Sequence, residues 1–554
     1  MSRRNRVLVI GLDGASLNVI LPFAQNGIMP RMKEIVEQGA VGPLMSVTPP
    51  VTGPAWASFL TGRQPGKHGV FDFVKATPGS LIRKPVNYTD IKASNLISLI
   101  SGEAGKTVCS FNVPITYPPP VVNGFVVTGM LTPDTDATFT YPESLKQQLE
   151  TRFGPYVLDV FWQRFTDNTA EQFLNELIDY EKQKLGAAKE LLSQREWDLF
   201  IAVFTGTDRI QHALWHVIEA ILDGKTLSPK EERLKPLIRD YYALIDRSLA
   251  DLVDAAGEET TVFFMSDHGF GSLNKKFLVN AWLRQKGWLS YDLEQIRKIN
   301  RRQSFKKILK QNLMRFPVVY NLLRKKGPVS LEKRMNTYQF LNLIQWPHST
   351  AYSVSNTEQG IYINLKGREP YGIVNPGIEY ENLRDDIMDA LRTLRAPTDG
   401  RQLVSHLYRK EELYQGPHKD NAPDIVFFLS DGEYLADVRL TEHLWEEVSW
   451  TTGRGTHRKE GLFIAYGHGV RKGTRVDANI VDLAPTVLFL LDIPISQDID
   501  GTILDSVFEE EFLNQKAPQY AVAGNRAEEE SEVFSLSEKE EEKVIQQLAD
   551  LGYM

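Results

Sequence analysis

Asp267 and His268 stand directly after the apolar run Thr260–Met265, in Met265-Ser266-Asp267-His268-Gly269-Phe270-Gly271. Burying an unpaired carboxylate is costly unless a cation or a partner compensates it, so the pair reads as metal ligands. Asp208 and His212 lie four residues apart in Thr205-Gly206-Thr207-Asp208-Arg209-Ile210-Gln211-His212, after a second apolar run, 197–204. On a helix that spacing sets both on one face, able to hold one ion. His216 continues the spacing, but a further turn carries it about 6 Å away, and it reads as a supporting or surface residue. Three further segments carry weaker signals. Asp13 follows the run Val7–Ile10 within Gly11-Leu12-Asp13-Gly14; alone, an Asx-turn explains it equally well. Thr52 sits in Thr48-Pro49-Pro50-Val51-Thr52-Gly53-Pro54-Ala55-Trp56, just before a helix-compatible stretch with Pro54 suited to its first turn. A hydroxyl there is either a simple N-cap or a nucleophile in the positive field of a helix N-terminus, a field that also favours a bound anion. As a nucleophile it needs a base or a metal to activate it. His457, in the glycine-rich Gly453-Arg454-Gly455-Thr456-His457-Arg458, is a ligand or merely an exposed loop histidine.

Elements able to position these groups are legible in the hydropathy pattern. The runs 7–12, 107–113, 124–128, 197–204, 260–265, 424–429 and 461–466 are continuously apolar or β-branched, as in strands buried on both faces. Amphipathic helices are expected over 30–38, 169–194, 234–255 and 380–394, and a further helix over 480–491. Such alternation argues for an α/β fold, a mostly parallel central sheet with helices on both faces. Ligands in open sheets bind outside the carboxyl ends of the strands, and four of the five segments stand there. We expect a discontinuous core of 1–283 and 351–510 and a cap insertion over 284–350. Residues 511–554 read as an acidic tail, loose except for a short closing helix over 541–551. Within the insertion, Arg297 to Arg334 carries thirteen Lys or Arg against one acid, Glu332. It is read as a solvated basic face or as a lid attracting an anionic substrate or lipid.

The order of motifs resembles the alkaline phosphatase superfamily, nearest its type I phosphodiesterase/nucleotide pyrophosphatase branch. The correspondence runs from Val7 to about Gly501, apart from the basic insertion. It rests on an early Asp, a Thr before a helix, Asp-x-x-x-His, Asp-His-Gly and a late His in a glycine-rich loop. Asp482-Leu483-Ala484-Pro485-Thr486 and Asp500-Gly501 also look like the end of that catalytic core. The resemblance implies two divalent metal ions, most often zinc and sometimes manganese. Asp208, His212 and His457 would hold one, and Asp13, Asp267 and His268 the other, with Thr52 in contact with the metals as nucleophile. Two cations about 4 Å apart clamp the attacking and leaving oxygens of an in-line displacement, here through a covalent phospho-threonine. A metal-dependent phosphodiesterase or phosphatase is therefore expected, acting on a phosphorylated small-molecule or nucleotide-like substrate. Alternatives are a phosphomutase of the same superfamily and a non-catalytic binding protein that retains the fold. The nucleotide-cleaving relatives carry an Asn shortly after a His-Gly, where it helps hold a phosphoryl oxygen. His68-Gly69-Val70-Phe71-Asp72-Phe73 lacks it, so the N–H of Gly53 or another donor must serve. The Cys or Ser followed by Pro-x-Arg that sulfatases need is also missing around Thr52.

Composition sets outer limits. The chain has 554 residues, 42% of them hydrophobic and 24% charged, with net charge −8. That is ordinary for a globular protein and argues against sequence-specific nucleic-acid binding. Cys109 is the only cysteine, so no intrachain disulfide forms, and it reads as a packed residue in a reducing, cytoplasmic setting. No apolar stretch of about 18 residues appears, so no spanning helix is expected.

Overall fold

The computed structural model describes residues 5–77, 79–298, 337–450, 453–522 and 534–553. The basic stretch, apart from Arg297 and Lys298, lies outside the described residues, as does the reading of it as a lid.

The main sheet has ten strands among the described residues. Those that matter for the site are β1 (Arg6–Leu12), β2 (Ala40–Met45), β3 (Val108–Val113), β4 (Gly124–Thr128), β5 (Leu199–Phe204), β6 (Thr260–Met265) and β9 (Glu460–Gly467). They lie in the order β2-β9-β6-β1-β5-β3-β4. The five strands from β6 to β4 are parallel, and β9 runs antiparallel to both of its neighbours. The expected α/β class therefore holds, as a mixed and largely parallel sheet flanked by helices. Strands β3, β5 and β6 are buried along their whole length. That is why they are continuous apolar runs rather than alternating ones. Cys109, on β3, is packed in this core, and burial pushes its thiol up to about 12.

The helices that carry or brace the site are α1 (Thr52–Thr61), α2 (Ala170–Gln194), α3 (Gly206–Leu222) and α4 (Leu234–Ala256). Helices α2 and α4 show the expected stripes: Phe173, Leu174 and Leu177 on one, Ile238, Tyr241, Ile245 and Leu249 on the other, all fully buried. A short antiparallel ribbon joins β7 (Gly269–Ser272) to β8 (Gly455–Arg458).

A second sheet of seven strands gathers Lys275–Leu278 with strands from Ala351–Tyr352 through Trp445–Glu447. Lys276 of this sheet, and Asn356, Thr357 and Gln359 from the loop before its strand Gly360–Ile363, line a pocket together with His212 and His457. The helix of the acidic segment is longer than expected. It runs as α5 (Glu538–Asp550), opened by Ser537 and Glu540 bonding reciprocally to each other's backbone N–H. It is also docked, with Val544 and Leu548 fully buried. No helix among the described residues is long and apolar enough to cross a membrane.

Candidate metal centre and active site

Strand register brings the carboxylates together. Leu12 of β1 is level with Phe204 of β5, and Gly11 with Met265 of β6. The residues just beyond these ends are Asp13, the Gly206–Asp208 turn and Asp267-His268, so three neighbouring strands deliver their groups to one place. Gly14 makes the turn after Asp13 with φ 68°, a left-handed conformation that favours glycine, and its N–H donates to Asp267 Oδ1 at 3.1 Å. Gly206 opens α3 where a Cβ would meet Glu181 Oε1 at 2.0 Å, so a larger residue would have to displace that buried side chain. His457 arrives by a different route. The β7–β8 ribbon sets it opposite Phe270. The stretch read as a loop is thus largely a strand paired to the Asp-His-Gly segment.

Asp13, Thr52, Asp208, His212, Asp267, His268 and His457 all meet at this point. Asp13, Asp208, Asp267 and His268 are fully buried, and Thr52 is 1% exposed. The Asp208 Oδ1 atom lies 3.4 Å from His212 Nε2 and 3.3 Å from His457 Nε2, and the two Nε2 atoms are 3.1 Å apart. On the other side His268 Nε2 is 3.3 Å from Asp267 Oδ2 and 3.6 Å from Asp13 Oδ1. His268 also stacks on His457 at 3.6 Å between ring centres, so the two groups of ligand atoms are contiguous.

Tautomers follow from the partners. The Nδ1 atom of His212 faces the Gly455 carbonyl at 3.2 Å, that of His268 the Gly269 carbonyl at 3.1 Å, and that of His457 the Pro50 carbonyl at 3.0 Å. A carbonyl only accepts, so each Nδ1 donates, and a ring in its neutral form then turns the Nε2 lone pair inward. Burial holds His268 well below the ordinary imidazole value and lowers His212 as well, which keeps both neutral. Two lone pairs 3.1 Å apart repel unless a proton or cation lies between them.

The carboxylates tell the same story. Both oxygens of Asp13, Asp208 Oδ1 and Asp267 Oδ2 are buried without a hydrogen-bond partner. Burial first, then the Asp267 and Asp208 charges, raise Asp13 well above the ordinary carboxyl range; burial pushes Asp267 up to about 7. Such groups are expensive without a compensating charge. Two divalent cations would supply it. The ligand atoms of Asp13, Asp267 and His268 lie within 4.8 Å of one another, and so do those of Asp208, His268 and His457. The donor set fits a two-metal site.

Asp208 differs from the other two acids. Burial raises it, but the charged Arg209 guanidinium outweighs that and holds it well below the usual value. Arg209 was not among the expected residues. It is fully buried, forks onto both oxygens of Asp159 at 3.0 and 2.7 Å, and donates to Asp208 Oδ2. That bond leaves Oδ1 aimed at the histidines, the arrangement by which outer groups orient a metal ligand.

Thr52 is the first residue of α1, one position further in than expected, because Val51 takes the extended cap conformation. Its hydroxyl makes no capping bond and instead lies 3.4 Å from His268 Nε2. Gly53 follows in the same first turn, buried, so its N–H belongs to the positive end of the helix. His216 stands apart, bonded to Glu231 at 3.0 Å. The pocket over the site is lined by Val51, His212 and His457 below and by Trp162, Lys276, Gln359 and Tyr553 around it. Of these, Trp162, Lys276, Gln359 and Tyr553 had not been singled out. The sequence does carry one signal for the last: Val544, Leu548 and Leu551 form an i, i+4, i+7 apolar stripe in an otherwise acidic helix, which must face a partner.

Fold, donor set and buried hydroxyl together define a bimetallic hydrolase of the phosphodiesterase or phosphatase type. A model of the type I phosphodiesterase / nucleotide pyrophosphatase family matches residues 7–461, and the chain belongs to that family. Crystal structures of phosphonoacetate hydrolase from Sinorhizobium meliloti 1021, with phosphonoformate or phosphonoacetate bound, share the fold. Each has a TM-score of 0.52 and 15% identity, covering 88% of this chain and 95% of that one. Murine ectonucleotide pyrophosphatase / phosphodiesterase 5, in an inactive form with AMP, is similar at TM-score 0.46 and 13% identity over the same shares. No curated protein matches the chain in sequence.

Proposed function

We propose that this chain hydrolyses phosphoric esters, diesters ahead of monoesters, with Thr52 as nucleophile. The observation that supports it most is the set of three imidazoles pinned by backbone carbonyls so that every Nε2 faces a buried carboxylate, that of His268 also lying 3.4 Å from the Thr52 hydroxyl. In this reading Asp208, His212 and His457 hold one metal, and Asp13, Asp267 and His268 the other. When bound, the ions neutralise the carboxylates and act as Lewis acids toward phosphoryl oxygens. Zinc fits best because the set offers three imidazoles; manganese fits the carboxylates.

The chain's own groups do the rest. Thr52 Oγ1, stripped of its proton, attacks phosphorus; the P–Oγ1 bond forms as the bond to the leaving alcohol breaks. The first turn of α1, including Gly53 N–H, favours the charge on the phosphoryl oxygens. Water then attacks phosphorus and Thr52 is released. Net, one water is consumed: its hydroxyl ends on phosphorus and its hydrogen on the alcohol. Lys276, on the second sheet, lines the pocket and would be the cation facing an anionic or nucleotide-like substrate. The single, packed cysteine favours a reducing, cytoplasmic setting.

The test compares a chromogenic phosphodiester with its monoester, with zinc or manganese present and a chelator control. Chelator-sensitive turnover that favours the diester is expected. Monoester preference would move the chain to the phosphatases, and no turnover by a metal-loaded protein would sink the reading for simple esters.

A further inference from the structure

The segment that follows the acidic stretch is fastened to the body of the protein at points along its length. Phe534 accepts from Asn87 Nδ2 at 3.2 Å, Glu541 pairs with Lys84 at 2.8 Å, and Gln547 donates to the Thr132 and Pro133 carbonyls at 3.0 and 2.7 Å. Asp550 pairs with Arg164 at 3.0 Å, and the Leu551 carbonyl accepts from Trp162 Nε1 at 2.9 Å. Beneath these contacts Val544, Leu548 and Leu551 are buried. A segment held this way has a defined position, and what it delivers is Tyr553.

The Tyr553 ring is 6% exposed and packs on Phe73 at 4.7 Å between centres, with His212 at 5.7 Å and His457 at 5.9 Å. Its hydroxyl is 3.4 Å from Asp208 Oδ2. A phenol has one proton to give. Asp208 Oδ2 already accepts from Arg209, and 3.4 Å is long for a hydroxyl donor, the looseness expected where a bond tightens only on a reacting ligand. The same residue lines the open pocket, so an incoming phosphoryl group meets it.

We propose that Tyr553 is a substrate-binding residue of the phosphoryl site: its O–H donates to an oxygen of the phosphoryl group held at Thr52. The role rests on the phosphoesterase reading above. It makes the docked segment part of the active site, a donor in a place where the metals supply charge but no directed hydrogen bond.

The experiment measures binding of inorganic vanadate and of phosphate, alongside ester turnover, in metal-loaded wild type and Tyr553→Phe. Phenylalanine keeps the ring packing and removes only the hydroxyl. Vanadate affinity and kcat/KM should fall about ten- to a hundredfold, the effect of one hydrogen bond to a charged group, with phosphate affinity less affected. Metal content and melting temperature should match wild type. Unchanged vanadate affinity and turnover would make Tyr553 packing only, and a lowered metal content would make it a positioning residue for Asp208; either overturns the proposal. A second variant lacking residues 534–554 should lose at least as much activity; a gain would show the segment to be an inhibitory plug. Wild type that binds no vanadate despite full metal content would overturn the phosphoesterase reading and this role with it, whereas binding that Tyr553→Phe retains overturns the role alone.

Discussion

At the floor of the site, Asp13, Asp208 and Asp267 leave three adjacent parallel strands at fixed register. At the wall, Trp162, Lys276 and Tyr553 come from three segments that share no sheet. The floor is fully buried and dense with unpaired ligand atoms; the wall is a mixture of ring faces, one ammonium and one phenol. A floor on a sheet has its geometry set by backbone hydrogen bonds and tolerates little change. A wall assembled from separate segments can vary without disturbing that geometry. The division assigns chemistry to the floor and selection to the wall, and variants on either side can break it.

The largest effect is expected at Thr52. Thr52→Ala should lower kcat by roughly four orders of magnitude or more, as removal of a nucleophile does, while metal content stays at the wild-type level. Substantial turnover in that variant would mean that water attacks phosphorus directly. Next come the ligands. His457→Ala and Asp267→Asn should each reduce bound metal from about two per chain to about one, read by elemental analysis. Chelation should lower the melting temperature, since a ligand at a hundred times its Kd contributes about 2.7 kcal/mol. Equal metal content in either variant would remove that residue from the ligand set.

The contrast between floor and wall is also a contrast in legibility. Each floor residue stands just past the end of an apolar run, so local sequence announces both the strand and the group beyond it. Asp208 and His212 were found by helical spacing alone, and they do meet, 3.4 Å apart. Thr52 was placed one residue early because Pro54 marks the first turn but not which residue begins it. The β7–β8 pairing that aims His457 is not legible, because a short stretch within a glycine-rich segment looks like a loop until a strand far away in sequence, with Phe270 level with His457, is known to pair with it. Arg209 lies inside a motif, but nothing local shows that Asp159 lies across from it. Tyr553 was hidden by composition: the surrounding acids suggest solvent, and only the Val544-Leu548-Leu551 stripe argues otherwise.

Arg209 tests whether the floor extends beyond its ligands. Arg209→Lys keeps the charge beside Asp159 and loses the fork that joins it to Asp208. Metal affinity should fall about ten- to a hundredfold, the usual cost of disturbing a residue that orients a ligand, with a far smaller change in kcat once metal is saturating. A change in kcat alone would place Arg209 with the substrate rather than with the metal.

Lys276 gives the smallest effect and the sharpest test of the wall. Its ammonium is 6% exposed, lies 3.7 Å from Asp437 Oδ2, and is depressed below the ordinary lysine value by burial. Removing it does not leave Asp437 alone, because Arg439 forks onto that carboxylate with both contacts at 2.9 Å. Lys276→Met should therefore fold, and what it loses is a positive charge on the pocket lining. A partly screened charge contact of about 1 kcal/mol corresponds to roughly a fivefold rise in KM for an anionic substrate, with kcat and metal content unchanged. A fall in kcat at constant KM would instead place Lys276 in the transition state, and the separation of chemistry at the floor from selection at the wall would fail at the residue where the two sheets meet.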